Sequence, residues 1–465
     1  MIPVYSAQQV RQQDQFLIQN MGYPSAQLME VAGYGVAQWI HRHHPNASVD
    51  ICCGSGNNGG DGYVIARWLT LWGHSVRCIA VEEPKSADAK LNAERLREAG
   101  LAIECVINPP KPVSEILIDA ILGTGQRLPL SPSLIDAIEW MEPHNGLRFA
   151  IDVPTGLDPN SAQMSPAAKR QVDLTFALGG RKVCYYASSQ CGQIVDIDIG
   201  LSLASKQLPN AFKAKAHVIE QCDIPKAITS HSGMVKWDKG HVAIVAKRGA
   251  AVLAARAALL TGVGLVSVVA PKSEWPHLHG LPPEVILVEP DELNPRRHDA
   301  LVIGPAWGFE DNDWLMELWS TYPRPLLADA DALRVLAQAP KGAPHPRVIT
   351  PHSAEAAHLL GQDRKTVETD RFGTIENLAK LATVAILKGP YTLIKSNSTL
   401  INPVADSRLG VAGSGDILSG LIGGLLAKGH SPLDSTLIGV WHHSRAIPLH
   451  SKPSASGILD RLALA

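Results

Sequence analysis

The chain has no apolar run approaching the roughly 20 residues that a membrane helix needs. Its richest stretch, Ile417 to Ala427, is short and interrupted by glycine. Neither sign of charge is in excess, with 42 Lys and Arg against 44 Asp and Glu. That balance denies the chain the broad basic surface that holds nucleic acid by its phosphates. Neither membrane nor nucleic acid is therefore expected as a partner. Cysteine is sparse, seven in all, and Cys52 and Cys53 are adjacent. Such a pair suits neither a C-x-x-C metal site nor an ordinary disulfide, so reduced thiols and a cytoplasmic location are expected. The first residues, MIPVYSAQQVRQQDQ, lack the basic-then-apolar order of a secretory signal and the Arg-rich, acid-free character of a transit peptide. There is no internal repeat, no low-complexity segment and no G-x-x-x-x-G-K-[ST] loop.

What is present is an ordinary globular composition. Of the 465 residues, 45% are hydrophobic, enough for large cores and against disorder. The length implies two or three domains. The stretch Leu201 to Asp223 has weak periodicity and mixed charge. We place one domain over residues 1–212 and a second over residues 223–465.

Both parts read as alternating strands and helices. Strands are expected at Ser48–Cys53, Ser75–Val81, Glu115–Leu122 and Leu147–Val153, with helices over Leu28–His41 and Tyr63–Trp72. In the second part, strands are expected at His241–Ala246, Gly264–Ala270, Ala300–Gly304, Pro325–Ala328, Arg347–Thr350 and Val384–Leu387. Strand–helix alternation, with glycine-bearing loops after the strands, implies parallel sheets covered on both faces. Ligands of such sheets bind at the carboxyl ends of strands.

The loop Gly54-Ser55-Gly56-Asn57-Asn58-Gly59-Gly60-Asp61-Gly62 contains a formal G-x-G-x-x-G. Taken alone it suggests a dinucleotide-binding dehydrogenase. Asp61, read as opening the following helix, argues against that, because its carboxylate would repel a pyrophosphate at the helix N-terminus. The plain alternative is a tight turn with Asp61 as N-cap. Asp119 lies near one strand end and Asp152 at another, close to Gly123-Thr124-Gly125 and Thr155. Strand-end acids at a shared crevice suit a base or a cation site. Asn, Asp and a hydroxyl form an all-oxygen set for a hard cation, not for zinc. In the second part, Gly413-Ser414-Gly415-Asp416 opens a helix. Its free N–H groups can stabilise phosphate charge, and Asp416 can take a proton from an attacking hydroxyl. Lys388 and Thr392 are placed to meet a nucleotide phosphate.

Together these motifs resemble the bifunctional NAD(P)H-hydrate repair enzymes. Leu28-Met29-Glu30-x-Ala32-Gly33, the Asn57–Gly62 loop, Asp119 with Gly123-Thr124-Gly125, and Asp152-Val153-Pro154-Thr155-Gly156-Leu157 resemble the NAD(P)H-hydrate epimerase domain. Asp329-Ala330-Asp331-Ala332-Leu333, Thr350-Pro351-His352, Leu387-Lys388-Gly389 and Gly413-Ser414-Gly415-Asp416 resemble the ADP- or ATP-dependent NAD(P)H-hydrate dehydratase domain. The resemblance implies an α/β chain of two three-layer αβα domains, the first Rossmann-like and the second ribokinase-like. It implies that the first half interconverts the two epimers of hydrated NADH or NADPH. The second half phosphorylates the added hydroxyl of one epimer and eliminates phosphate. Matched residue by residue, Asn58, Asp119 and Thr155 stand at the potassium ligands, with Thr where Ser is usual. Asn57, Asn58, Gly59, Gly60, Asp61, Gly123, Thr124, Gly125, Gln126, Arg127, Leu128, Pro129 and Asp152 stand at hydrated-cofactor contacts, with Asp152 as acid/base. His352 and Asp416 stand at substrate contacts, with Asp416 as base. Lys388, Gly389, Pro390, Tyr391, Thr392 and Gly415 stand at ADP contacts. The implied cofactors are potassium in the first half and ADP or ATP with magnesium in the second. A homo-oligomer is expected.

The chain departs from the family in places. A usual Lys is replaced by Gly179-Gly180, with Arg181 and Lys182 just beyond; either Lys182 substitutes or the role is lost. Glycine-rich substrate loops become Lys236-Trp237-Asp238-Lys239-Gly240, Gly304-Pro305-Ala306-Trp307-Gly308 and Pro351-His352-Ser353-Ala354-Glu355. Because glycine lets backbone approach a ligand closely, Trp237 and Trp307 are expected to narrow or cover that pocket. Two alternatives follow: an active epimerase with a degenerate nucleotide-binding second half, or a small-metabolite kinase in that half.

Overall fold

The computed structural model describes residues 1–105, 112–200, 213–228, 233–308, 312–337, 345–447 and 453–462. Most of the expected linker, 201–212, lies outside them. The chain divides into two compact units, one of Pro3–Ala216 and one of Met1–Ile2 with His217–Ala465.

In the N-terminal unit the elements run β1 (Ile2–Tyr5), α1 (Ala7–Gln19), α2 (Ser25–His43), β2 (Val49–Cys53), α3 (Asn57–Leu71), β3 (Val76–Ala80), α4 (Ala87–Glu98), β4 (Ile103–Cys105), β5 (Ile116–Ala120), α5 (Pro132–Met141), β6 (Leu147–Ile151), β7 (Leu174–Leu178), β8 (Arg181–Lys182), α6 (Cys184–Ala187) and β9 (Gln193–Ile197). Seven strands form one sheet in the order β4-β3-β2-β5-β6-β7-β9, with every described pairing parallel. The chain winds outward from β2 in one direction and from β5 in the other. The switch point therefore lies between β2 and β5, where such folds hold ligands.

Strand periodicity of two explains the layers. Ile51, Cys53, Ile118 and Ala120 pack with Val36, Ile40, Tyr63 and Ile65 of α2 and α3. Cys52 and Leu117 face the other way, toward Ala137, Ile138 and Met141 of α5. The adjacent cysteines thus serve opposite cores, and both are free thiols. α3 begins at Asn57, four residues earlier than the sequence suggested as the opening, and Gly56 is its N-cap. Asp61 is therefore not the cap but sits in the second helical turn. The glycines do not delay the helix because they serve close packing instead. A Cβ on Gly59 would collide with the Gly54 carbonyl. Nine elements of this unit, β1, α1, α4, β4, α5, β7, β8, α6 and β9, are not among those expected from the sequence.

The C-terminal unit contains β10 (Ala216–Val218), β11 (His241–Val245), α7 (Arg248–Leu260), β12 (Leu265–Val269), β13 (Ile286–Val288), β14 (Ala300–Ile303), β15 (Leu326–Ala328), β16 (Arg347–Ile349), α8 (Ser353–Leu360), β17 (Val384–Leu387), β18 (Leu393–Lys395), β19 (Thr399–Ile401), α9 (Ser414–Ala427) and α10 (Pro432–Arg445). Its strands follow the order β13-β12-β11-β14-β15-β16-β17-β18-β19-β10. The sheet is parallel up to β17, and β18 is antiparallel to both its neighbours. Val242, Ile244, Val302 and Ile386 bury one face beneath α7 and α9. Ala243, Val245, Leu301 and Ile303 are equally buried on the other. Both units are α/β, as expected, and no described helix is long and apolar enough to cross a membrane.

Candidate active sites in the two units

At the carboxyl ends of β2, β5 and β6 the N-terminal unit opens into a cavity of about 510 Å³. Asn57, Asn58, Asp61, Gly123, Thr124, Gly125, Gln126 and Asp152 line it, together with Arg11, Asp14 and Asp88. Of the other expected contacts, Gly59 and Gly60 are buried within helix packing, and Arg127, Leu128 and Pro129 are not among the lining residues. Gly123 is small because two polar groups meet there. A Cβ on it would stand 2.9 Å from Asp152 Oδ2 and 3.3 Å from Asn58 Oδ1.

Asp152 follows β6 in a left-handed conformation, φ +67°, which Asp tolerates better than most residues. Its Oδ1 lies 2.6 Å from Lys182 Nζ, and its Oδ2 accepts a hydrogen bond from the Thr124 amide at 3.2 Å. The Tyr185 hydroxyl donates to its carbonyl. Lys182 is fully buried and also donates to the Leu178 and Gly180 carbonyls at 3.1 and 2.9 Å. The lysine beyond Gly179-Gly180 therefore reaches the aspartate, from a strand that runs parallel to β1.

The remaining cavity acids have no such partner. Burial pushes the Asp61 carboxyl well up, and the charges of Asp152, Asp14 and Asp88 push it further. Burial likewise raises Asp14 to about 7; Lys182 opposes and Asp152 adds to the rise. Asp14 is absent from the motifs. Its signal was helical spacing, since Val10, Arg11, Asp14 and Ile18 share one face of α1, and all four line the cavity.

Asp119 lies beneath this floor, on the α5 face of β5. Its Oδ1 accepts from the Thr155 hydroxyl at 2.7 Å and its Oδ2 from the Thr155 amide at 2.7 Å. Burial raises its carboxyl against those hydrogen bonds. Gln126 is committed to structure: its amide bridges the Pro154 carbonyl at 3.2 Å and the Gly156 amide at 2.8 Å.

In the C-terminal unit, Asp329 follows β15 and Lys388 follows β17. Their Oδ1 and Nζ are 2.7 Å apart, and Ser419 of α9 donates to Asp329 Oδ2 at 2.6 Å. Burial alone would raise Asp329, but Lys388, Ser419 and Thr350 outweigh it and hold the carboxyl below its ordinary value. Glu355 lies 3.8 Å from the same ammonium. A Cβ on Gly415 would stand 3.2 Å from Lys388 Nζ, so the N-terminus of α9 abuts the ion pair. Asp416, in the first turn of α9, is raised to about 7, by burial first and then by Asp329, against the pull of Lys388. His443 of α10 is partly buried with Nε2 3.1 Å from Ser414 Oγ, and desolvation lowers it to about 4.

His352 caps α8. Its Nδ1 accepts from the Ala354 and Glu355 amides at 3.1 and 3.3 Å, and the ring is half exposed. Gly389 and Pro390 are exposed, with Tyr391 and Thr392 partly so. The Thr392 hydroxyl, expected to be available to phosphate, donates instead to the Gly389 carbonyl at 3.0 Å. Trp307 is fully buried, with Lys247 over its ring at 4.6 Å and Trp314 beside it at 5.4 Å. Trp237, expected to narrow the same pocket, is 62% exposed on a short 3₁₀ turn, with its ring edge-on to His241 at 6.5 Å. Glu355, Ser419 and His443 were not singled out as site residues. Ser419 follows Asp416 by three positions on α9 and so shares its face.

Two family models match the chain. A model described as YjeF-related protein N-terminus covers residues 25–184, and one described as NAD(P)H-hydrate dehydratase covers residues 245–462. The bifunctional NAD(P)H-hydrate repair enzyme of Escherichia coli is 32% identical, across 95% of this chain and 88% of its own. Its namesake from Pyrobaculum aerophilum is 30% identical, across 95% and 94%. Among solved structures, the ADP/ATP-dependent NAD(P)H-hydrate dehydratase of Bacillus subtilis, co-crystallised with ATP and Mg²⁺, is 24% identical with a TM-score of 0.47. It spans 52% of this chain and 96% of its own.

Proposed function

The chain belongs to the bifunctional NAD(P)H-hydrate repair enzymes, and on that premise we propose how its residues divide the work. The N-terminal cavity takes NADH or NADPH whose nicotinamide ring has gained water. There Asp152 moves protons while the R and S hydrates interconvert. The C-terminal site takes the S hydrate and ADP or ATP. Asp416 accepts the proton of the ring hydroxyl as that oxygen attacks the terminal phosphoryl group. Loss of phosphate from this carbon and of a proton from its neighbour restores the double bond. Phosphorylation is needed because hydroxide leaves poorly and phosphate leaves well.

The observation that carries this reading is the Asp329–Lys388–Asp416 cluster at the N-terminus of α9. A carboxyl held near 7 is suited to act as base at neutral pH. The free first-turn N–H groups of α9 suit developing phosphate charge. Lys388 is the group to draw the phosphoryl donor, with magnesium supplying charge neutralisation when bound. His352 stands half exposed at the mouth, where a substrate can reach it.

A potassium site at Asn58, Asp119 and Thr155 fits what these residues offer. The Asp119 carboxylate is buried, and among the described residues it forms no ion pair; the Arg148 charge acts on it only from beyond ion-pair distance. Asn58 is nine-tenths buried, with its Oδ1, the atom a cation would take, turned toward Gly123. The donor set is oxygen-rich, as a hard cation requires. Bound there, the cation would supply fixed positive charge at the cavity floor. The reading also keeps the enzyme in the cytoplasm, where its thiols stay reduced. It further assigns a homo-oligomer, which sedimentation would test.

The test is cofactor regeneration. Purified protein, ADP or ATP and a mixture of both hydrates should restore the absorbance of the reduced nicotinamide completely. Restoration of half the mixture would leave only the dehydratase, and none at all would contradict the reading.

A further inference from the structure

Inverting a ring carbon that bears a hydroxyl beside the ring nitrogen needs two proton transfers. One proton must reach the departing oxygen, and another must leave the oxygen that returns on the opposite face. Asp152 supplies one carboxyl, fixed by Lys182 at 2.6 Å.

A second carboxyl enters the same cavity from a different wall. Asp14 projects from α1, and its Oδ1 is buried with no hydrogen-bond partner. The charged groups facing it are Arg11 of its own helix, Asp61 of α3, Asp88 of α4, Asp152 beyond β6 and Lys182 of β8. Arg11 is turned to the Thr124 carbonyl at 2.5 Å, and Lys182 is saturated by Asp152 and two carbonyls. Among the described residues no cation forms an ion pair with Asp14. Asn58 lines the same cavity nine-tenths buried with an unpartnered amide, so the cavity holds unsatisfied polar groups that a ligand would satisfy.

We propose that Asp14 is the second proton-transfer residue of the N-terminal cavity, working with Asp152 on the hydrated ring. The inference deepens the epimerase reading and rests on it. In one direction the Asp14 carboxyl gives its proton to the ring hydroxyl. The carbon–oxygen bond breaks, the nitrogen lone pair forms a carbon–nitrogen double bond, and water is released. Water then adds to the opposite face, the double-bond electrons return to nitrogen, and the proton lost from that water goes to Asp152. The reverse direction exchanges the two roles. The active form therefore carries one proton on the pair and loses it as pH rises through about 7, so the rate falls above that pH.

The experiment uses the full-length chain and one purified epimer, following formation of the other by chromatography. For Asp14→Asn, kcat for interconversion should fall about 100-fold or more. KM should stay within about threefold of wild type. The decline above pH 7 should vanish, and nucleotide-dependent dehydration of the S hydrate should be unchanged. A kcat within threefold of wild type, or a rise in KM alone, would overturn the proposal for Asp14 and leave the epimerase reading standing. Wild-type protein that does not interconvert the epimers would overturn both.

Discussion

In the N-terminal unit Lys182 takes Asp152 at 2.6 Å and leaves Asp14 near 7. In the C-terminal unit Lys388 takes Asp329 at 2.7 Å and leaves Asp416 near 7. The two lysines nevertheless differ. Lys182 is completely buried and spends its other donors on backbone carbonyls. Lys388 keeps 18% of its side chain exposed, with Glu355 as its second neighbour. The first is a fixed counter-ion that shapes a cavity. The second lies at the edge of the solvent, beside the N-terminus of α9. The first fits a cavity whose carboxyls exchange protons beside a fixed counter-ion, and the second a site where a cation must meet phosphate charge.

That contrast can be broken most forcefully at Lys182. Lys182→Met leaves Asp152 as an uncompensated buried carboxylate, which costs about 3–5 kcal/mol. Denaturant unfolding should show a loss of that size, and the matching Lys388→Met change, which strands the still more deeply buried Asp329, should cost at least as much while abolishing dehydration and sparing epimerisation. Loss of dehydration in Lys182→Met, or of epimerisation in Lys388→Met, in protein that is still folded would erase the distinction.

A smaller effect is expected at the cavity floor. Asp119→Ala should slow epimerisation about tenfold and remove its response to potassium, without touching dehydration. A variant that still responds to potassium like wild type would move the cation site elsewhere.

The smallest effect is on stability against pH. Unfolded Asp416 releases its proton near the ordinary 3.8, and folded Asp416 near 7. Between these values the folded state binds more protons, so this group's favourable contribution is lost as pH rises from about 4 to 7. Asp416→Asn lacks that loss. Its Tm should exceed wild type by a few degrees at pH 8, with the gain shrinking toward pH 4. A gain independent of pH would show that burial, not titration, governs Asp416.

Much of this was legible in the chain. Parallel sheets followed from strand–helix alternation, and Asn58, Asp61, Gly123 and Asp152 stand close to one another because their loops leave neighbouring strand ends. What stayed hidden has physical causes. Asp14 is carried by α1, far in sequence from the loops it joins, and no local pattern marks a helix as a cavity wall. Asp61 was misplaced because a run of glycines looks like a loop. Here the missing side chains let a helix lie against β2, as the contact of Gly59 with Gly54 shows. Trp237 was read as a pocket cover from its position in an altered motif, yet its short turn holds it at the surface. The sequence places Thr392 where it could meet a phosphate, but not the hydrogen bond that its hydroxyl makes to the Gly389 carbonyl.

The most direct test of two proton centres in one chain supplies the pure R hydrate with ADP or ATP and measures return of the reduced cofactor. Wild type should return all of it. Asp152→Asn should return no more than the uncatalysed drift to S allows, yet dehydrate supplied S hydrate normally. Asp416→Asn should accumulate S hydrate without regenerating cofactor. Full regeneration from the R hydrate by either variant would contradict the account.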